Sequence, residues 1–251
     1  MPDMTQFDRT ARLMGKQAVA ELGHARMAVF GLGAVGSFAV EALARAGVGY
    51  LRLVDFDRVD MSNINRQLYA LHSTLGEKKA EIARARVQDI YPACDVDICD
   101  TFVNADSLDT LLSADLDVVV DAIDGLNSKV NLLVAARQMD LCVVSSMGAG
   151  GRKDVSQIRT GDISDTQVCP LARVVRRRLH RRGVFTGIRC VYSLEPPVLS
   201  PDAQFLPGPE AQDPGNSAGH GRQRPPMGTI PWIPGIFGLT LAAEAVQIIT
   251  G

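Results

Sequence analysis

The chain has 251 residues, enough for one large α/β domain with a sizeable core. Its 46% hydrophobic and 22% charged residues exclude a low-complexity or disordered class. A formal net charge of -2 excludes general attraction to nucleic acid, so any polyanion site must be a local patch.

Residues 7–22 are predicted helical, with Leu13, Ala18, Val19 and Leu22 on an apolar face and Arg9, Arg12 and Lys16 on a basic one. No charged leader with an apolar run stands at the start, so the expected compartment is the cytoplasm. The stretch 27–57, MAVFGLGAVGSFAVEALARAGVGYLRLVDFD, then organises the rest: strand, glycine turn, helix, and a second strand ending in acid. Gly31, Gly33 and Gly36 form G-x-G-x-x-G directly after an apolar run, the context in which that motif carries meaning. The first glycine allows the tight turn, the second lets a phosphate approach the backbone, and the third lets helix and strand pack closely. Free N–H groups at the helix start favour an anion there. Asp55 lies about 20 residues past the motif, where an acid can hydrogen-bond ribose hydroxyls, and Asp57 follows it.

A polar loop rich in Asn and Arg leads to a helix expected over 77–90, stopped by Pro92. A third strand is expected over 95–103. The run LDVVVDA at 116–122 is continuously apolar, as in a central parallel strand, and places Asp124 at its carboxyl end. Open parallel sheets bind ligands at that edge, so Asp55 and Asp124 are expected to face one crevice. A helix over 127–139 and a buried strand, LCVVSSM, lead to Gly148, Gly150 and Gly151. This alternation predicts an α/β fold with a Rossmann-like, doubly wound, mostly parallel sheet over residues 1–151.

Residues 152–251 read as an extension of the same domain. Strands are expected at 157–161 and 188–194, with a helix at 169–182 between them. Ten of the thirteen prolines fall between Pro196 and Pro234, so the tract at about 200–228 is expected to be mobile. The closing apolar run, 235–249, holds Glu244 and Gln247 and reads as a buried helix rather than a membrane span. Five cysteines without a C-x-x-C pair exclude a disulfide framework and a zinc knuckle, and the four histidines show no metal spacing. Cys169, before Pro170 at a helix start, is the one cysteine placed for reactivity, although a lone cysteine is more often inert. Arg173, Arg176, Arg177, Arg178, Arg181 and Arg182 crowd one helix with no acid between Thr166 and Arg189. Such a row suits RNA phosphates, a solvated helix face, or a contact between subunits.

Taken together, FDRTARLMG, GLGAVGS, LVDFDRVDMSNINRQ, GEKKAE, DAIDG and PGIFGLTLAAEA resemble the ATP-dependent adenylating superfamily of the ubiquitin-activating (E1) enzymes. That superfamily includes the bacterial ThiF/MoeB relatives serving thiamin and molybdopterin synthesis. Within it, the chain is most similar to the tRNA threonylcarbamoyladenosine dehydratases. The resemblance implies ATP and Mg²⁺ as cofactors. Asp55 would hold the ribose, Asn63, Arg66 and Lys79 the phosphates with Gln67 alongside, and Asp124 the metal. It implies a homodimer in which Arg9 reaches the opposite subunit's phosphates. It makes tRNA the partner and Arg173, Arg176, Arg177 and Arg181 its contacts, and some members work with a cysteine desulfurase's sulfur-acceptor system.

The implied chemistry is attack of a carboxylate on the α-phosphate of ATP, giving an acyl adenylate and pyrophosphate. Positioned cations serve this better than a nucleophilic side chain. Three alternatives stay open: adenylation of a ubiquitin-like sulfur carrier's C-terminus, an NAD-dependent dehydrogenase, and a nucleotide-sensing or RNA-binding scaffold. The dehydrogenase leaves Arg66, Lys79 and Asp124 without a role.

Overall fold

Alternation along the first strand, β1 (Arg26–Phe30), sets the layers. Met27 and Val29 enter one hydrophobic cluster, Ala28 and Phe30 the other, and all four are fully buried. A strand covered on both faces has no polar positions to offer, hence its unbroken apolar run. The computed structural model describes residues 4–198 and 227–251. The tract expected to be mobile lies almost wholly outside these residues.

Seven strands form one sheet. β2 is Tyr50–Val54, β3 Asp95–Cys99, β4 Val118–Asp121, β5 Cys142–Ser146, β6 Ile158–Asp162 and β7 Arg189–Ser193. Their order is β3-β2-β1-β4-β5-β7-β6, and only the β6–β7 pairing is antiparallel. The α/β, doubly wound expectation therefore holds, and the extension beyond residue 151 continues the same sheet rather than forming a lobe. Chain direction across the sheet reverses between β1 and β4. In open α/β sheets a crevice opens at the carboxyl ends of the strands flanking such a point.

One face carries α2 (Lys16–His24), α3 (Gly36–Ala46), α4 (Lys79–Ile90) and α8 (Trp232–Thr250); the other carries α5 (Leu108–Leu111), α6 (Leu126–Gln138) and α7 (Pro170–His180). The helix expected over 7–22 is two helices. Gly15, at φ +92°, ends α1 (Asp8–Met14) before α2 begins, a backbone state glycine adopts without a Cβ clash. The break turns Leu13, expected on the apolar face, out to solvent at 87% exposure, while Ala18, Val19 and Leu22 are buried as expected. β3 ends four residues earlier than expected, and α5 falls where no helix was predicted. α8 is apolar and long enough to cross a membrane by length and composition alone. In this fold Ile233, Phe237 and Leu241 are fully buried, each worth about 1.5–3 kcal/mol of transfer free energy. Its Gly238 allows the close crossing over α3, since a Cβ there would lie 2.3 Å from the Val35 carbonyl oxygen.

Candidate active site

The glycine turn begins the site. Gly31 has φ +87°, and a Cβ on it would meet the Ala122 carbonyl oxygen at 2.8 Å; one on Gly36 would meet the Gly31 carbonyl oxygen at 1.7 Å. These two glycines are therefore required by the close approach of the turn, α3 and the end of β4. Gly33 differs. Its φ is ordinary, and a Cβ there would have only the Gln67 amide nearby, 3.6 Å from Nε2. Packing therefore does not demand a glycine at 33, and Gln67 lies over its bare backbone.

Asp55, at the end of β2, is tied to that turn. Its Oδ2 accepts the Leu32 N–H at 2.6 Å and its Oδ1 the Asp57 N–H at 2.8 Å. Burial pushes its carboxyl above the usual Asp range, against the pull of Lys79, while Asp57 adds to the rise. Asp57 holds the cation: Lys79 Nζ donates to its Oδ2 at 2.9 Å, with the lysine side chain 5% exposed and the aspartate 41% exposed. Lys79 is the first residue of α4, and its N–H bonds the Asp57 carbonyl at 3.1 Å. Lys78 points elsewhere, to Asp100.

The loop between β2 and α4 is fixed from inside. Asp60 caps a short 3-10 turn over Met61–Asn63, accepting the Ser62 N–H at 2.8 Å. The Asn63 side chain closes back on the Asp60 N–H at 3.3 Å, and the Asn63 backbone carbonyl accepts the N–H groups of Arg66 and Gln67. Asn63 is buried, so its structural role is the reciprocal cap that presents Arg66 and Gln67. Arg66 is half-buried. Its Nη1 donates to the Ser62 carbonyl at 2.7 Å and to Asn65 Oδ1 at 2.8 Å, and it faces Asp124 electrostatically. Burial lowers its pKa, and the aspartate opposes that shift. Asp124 is exposed just beyond β4. Arg9 is exposed on α1, and its guanidinium has no partner among the described residues.

The sequence pattern of the ThiF family spans residues 7–251. The chain belongs to the ThiF family. The tRNA threonylcarbamoyladenosine dehydratase of Bacillus subtilis (strain 168) is 40% identical over 194 residues, covering 77% of this chain and 76% of that one. The tRNA threonylcarbamoyladenosine dehydratase 2 of Saccharomyces cerevisiae is 36% identical over 239 residues, 91% of this chain but 52% of the yeast protein, so the chain spans about half of it. A solved structure of E. coli tRNA N6-threonylcarbamoyladenosine dehydratase, TcdA, in complex with ATP superposes with a TM-score of 0.83 at 33% identity, covering 98% of this chain and 94% of that chain.

In this ThiF-family chain the sequence-predicted arginine row divides. Arg176 is half-buried, and its Nη1 donates to the carbonyls of Ile163 and Thr166 and to Thr166 Oγ1 at 2.7 Å, so it fastens a loop while its edge still lines the bowl formed by its exposed neighbours. Arg178 and Arg182 donate to Asn127 and Asn131 of α6. Arg173, Arg177 and Arg181 remain exposed and, with His180 and the edge of Arg176, line an open bowl of about 560 Å³. Cys94, Cys169 and Cys190 are buried, Cys99 is half-buried and Cys142 is exposed, and burial raises the Cys190 thiol. A thiol so placed is a poor nucleophile.

Sequence reasoning missed a buried ion pair under the crevice. Asp121 and Lys129 are both 0% exposed, with Lys129 Nζ 2.5 Å from Asp121 Oδ2. The signal was present: two acids three apart in DAIDG, with a lysine on the inner face of the next helix. In sequence, Asp121 reads as the end of an apolar strand and Lys129 as part of an ordinary helix.

Proposed function

We propose that this chain is an ATP-dependent tRNA threonylcarbamoyladenosine dehydratase that adenylates the threonylcarbamoyl carboxylate and lets it cyclise. The observation that carries the reading is the grouping, at one switch-point crevice, of a bare Gly33 backbone, Asp55 on the turn, and Lys79 and Arg66 each with an acid at hand. The carboxylate oxygen attacks the α-phosphorus, the bond to the pyrophosphate oxygen breaks, and an acyl adenylate forms. The substrate's own carbamoyl group then closes on the activated carbon and AMP leaves with the carboxylate oxygen. The modified base ends one water lighter, and no enzyme nucleophile is needed.

Charge builds on phosphate oxygens in the first step, so the protein's part is to place cations and N–H donors around them. Lys79 serves as a point charge on a phosphate, Arg66 as a planar donor beside it, and the Gly33 backbone and the start of α3 as N–H donors. Asn63 and Gln67 keep that loop over the turn. Among the described residues no three His, Cys, Asp or Glu side chains form a metal cage. This suits Mg²⁺, which prefers one or two carboxylates plus substrate phosphates, with Asp124 as the protein ligand. When bound, the ion neutralises charge on the departing pyrophosphate. Arg9 completes the site of a second copy in a homodimer. The bowl on α7 receives RNA phosphates through Arg173, Arg177 and Arg181, which makes tRNA rather than a small molecule the bearer of the acid. A cytoplasmic setting fits that partner.

The test is incubation with ATP, Mg²⁺ and threonylcarbamoyl-modified tRNA, followed by nucleoside mass analysis. A product lighter by one water is expected. Unchanged mass, or pyrophosphate exchange that depends on a sulfur-carrier protein and not on tRNA, would overturn the assignment.

A further inference from the structure

The buried Asp121–Lys129 pair stands where a fold gains little from charge. Lys129 lies in the first turns of α6, the positive end of that helix, and both side chains are out of water. A buried ion pair recovers its desolvation cost only through good geometry and further hydrogen bonds, and apolar residues of like volume are often as stable. Those further bonds are present, and they converge. Asp121 Oδ2 also accepts Ser145 Oγ at 2.5 Å, while Lys129 Nζ donates to the Ser146 carbonyl at 3.0 Å, locking β4 and α6 to β5. The remaining oxygen, Asp121 Oδ1, accepts the Ile123 N–H at 3.1 Å. The backbone N–H of Lys129 bonds the Gly125 carbonyl at 2.9 Å. Ile123 and Gly125 are the two neighbours of Asp124. The aspartate of the pair thus grips the chain one residue before the carboxylate that faces Arg66, its lysine anchors the helix turn that starts one residue after it, and the Asp124 side chain stays exposed.

We infer that Asp121 and Lys129 are positioning residues that hold Asp124 at the angle at which it meets the metal–triphosphate. The inference rests on the adenylating reading of the crevice. Neither residue touches substrate; the pair acts through Asp124, with Ser145 orienting the aspartate.

The experiment is calorimetric titration of ATP into the full chain, with and without Mg²⁺, for the parent protein, Lys129→Met, Ser145→Ala and Asp124→Ala, and for Lys129→Met and Ser145→Ala each combined with Asp124→Ala. Lys129→Met is expected to weaken ATP binding at least tenfold with Mg²⁺ present and Ser145→Ala about threefold, both much less without the metal. In the Asp124→Ala background each should cost less than twofold, because the side chain they position is gone. Binding unchanged in Ser145→Ala and Lys129→Met, or the same fold loss with and without Asp124, would overturn the inference by reducing the pair to packing. If Lys129→Met does not fold, the Ser145→Ala comparison decides alone. A parent protein that does not bind ATP would instead sink the adenylating reading itself.

Discussion

The three glycines of one motif answer to different forces, and substituting them separately should pull stability and binding apart. Gly36→Ala places a methyl 1.7 Å from the Gly31 carbonyl oxygen, a backbone atom that cannot rotate away. The turn must move off α3, so the cost is set at the top of the overpacking range, about 3 kcal/mol. For a chain of this length that lowers Tm by about 6–12 °C. Gly33→Ala places its methyl at ordinary contact, 3.6 Å from the movable Gln67 amide, with no positive φ to strain. Its stability should stay within about 0.5 kcal/mol of the parent, helped by a less flexible unfolded chain. Yet on the proposed reading that methyl stands where a phosphate would lie on the backbone, so ATP affinity should fall at least tenfold, about 1.4 kcal/mol. Urea denaturation and calorimetric ATP titration of both variants give the four numbers. Gly33→Ala that binds ATP like the parent, or melts as early as Gly36→Ala, would refute the division of roles.

Asp57→Asn leaves Lys79 nearly buried without its acid, so melting should fall without ATP, and the rise on adding ATP should exceed the parent's; equal rises would show that the phosphates do not reach Lys79. Because burial raises the Asp55 carboxyl, its stabilising contribution is full below the ordinary value near 3.8 and lost as pH rises through the raised folded value. Asp55→Asn should therefore flatten that part of the stability-against-pH curve, checked by denaturant titration between pH 3 and 7; an unchanged slope would count against it. Reversing the charge of Arg177 and Arg181 should weaken tRNA binding and reduce its salt slope by about one for each phosphate no longer neutralised. Arg176→Ala should instead cost stability, about 1–3 kcal/mol, by leaving the Thr166 and Ile163 oxygens unpaired, with the salt slope unchanged.

The parallel sheet was legible because both-face burial writes itself into sequence as unbroken apolar runs, as in β1 and β4. The crevice was legible because its residues sit in short motifs at strand ends, where the chain order reverses. Interruptions were harder to see. Nothing in the periodicity around residues 7–24 distinguishes Gly15 as a break from the glycine at 23 that α2 tolerates near its end; the difference is the φ of +92° that Gly15 adopts. The arginine row shows a second limit. Helical spacing separated its apolar stripe from its basic faces, but not Arg173, Arg177 and Arg181, which look outward, from Arg176, Arg178 and Arg182, which meet oxygens on neighbouring elements. Lys129 escaped notice because a single lysine in an amphipathic helix ordinarily snorkels to solvent, and only the fold puts Asp121 directly beneath it.

Charge pairing also explains how a chain of net charge -2 can take a triphosphate. A lysine as buried as Lys79 cannot stand alone, since an uncompensated buried charge costs several kcal/mol. Asp57 holds it in an ion pair, while half-buried Arg66 is held by the Ser62 carbonyl and Asn65, with the charge of Asp124 acting on it through space. On the proposed reading, triphosphate and metal arriving together would exchange these partners: Lys79 and Arg66 would pass to phosphate oxygens, and Asp124 would pass to the cation. Few bulk counterions are released in such an exchange, so ATP affinity should depend only weakly on salt. The outward arginines of α7 have no carboxylate partner among the described residues, and any anion they gain displaces solvent ions. RNA binding there should depend steeply on salt. Two polyanion sites in one molecule would then be told apart by a salt titration before any residue is changed.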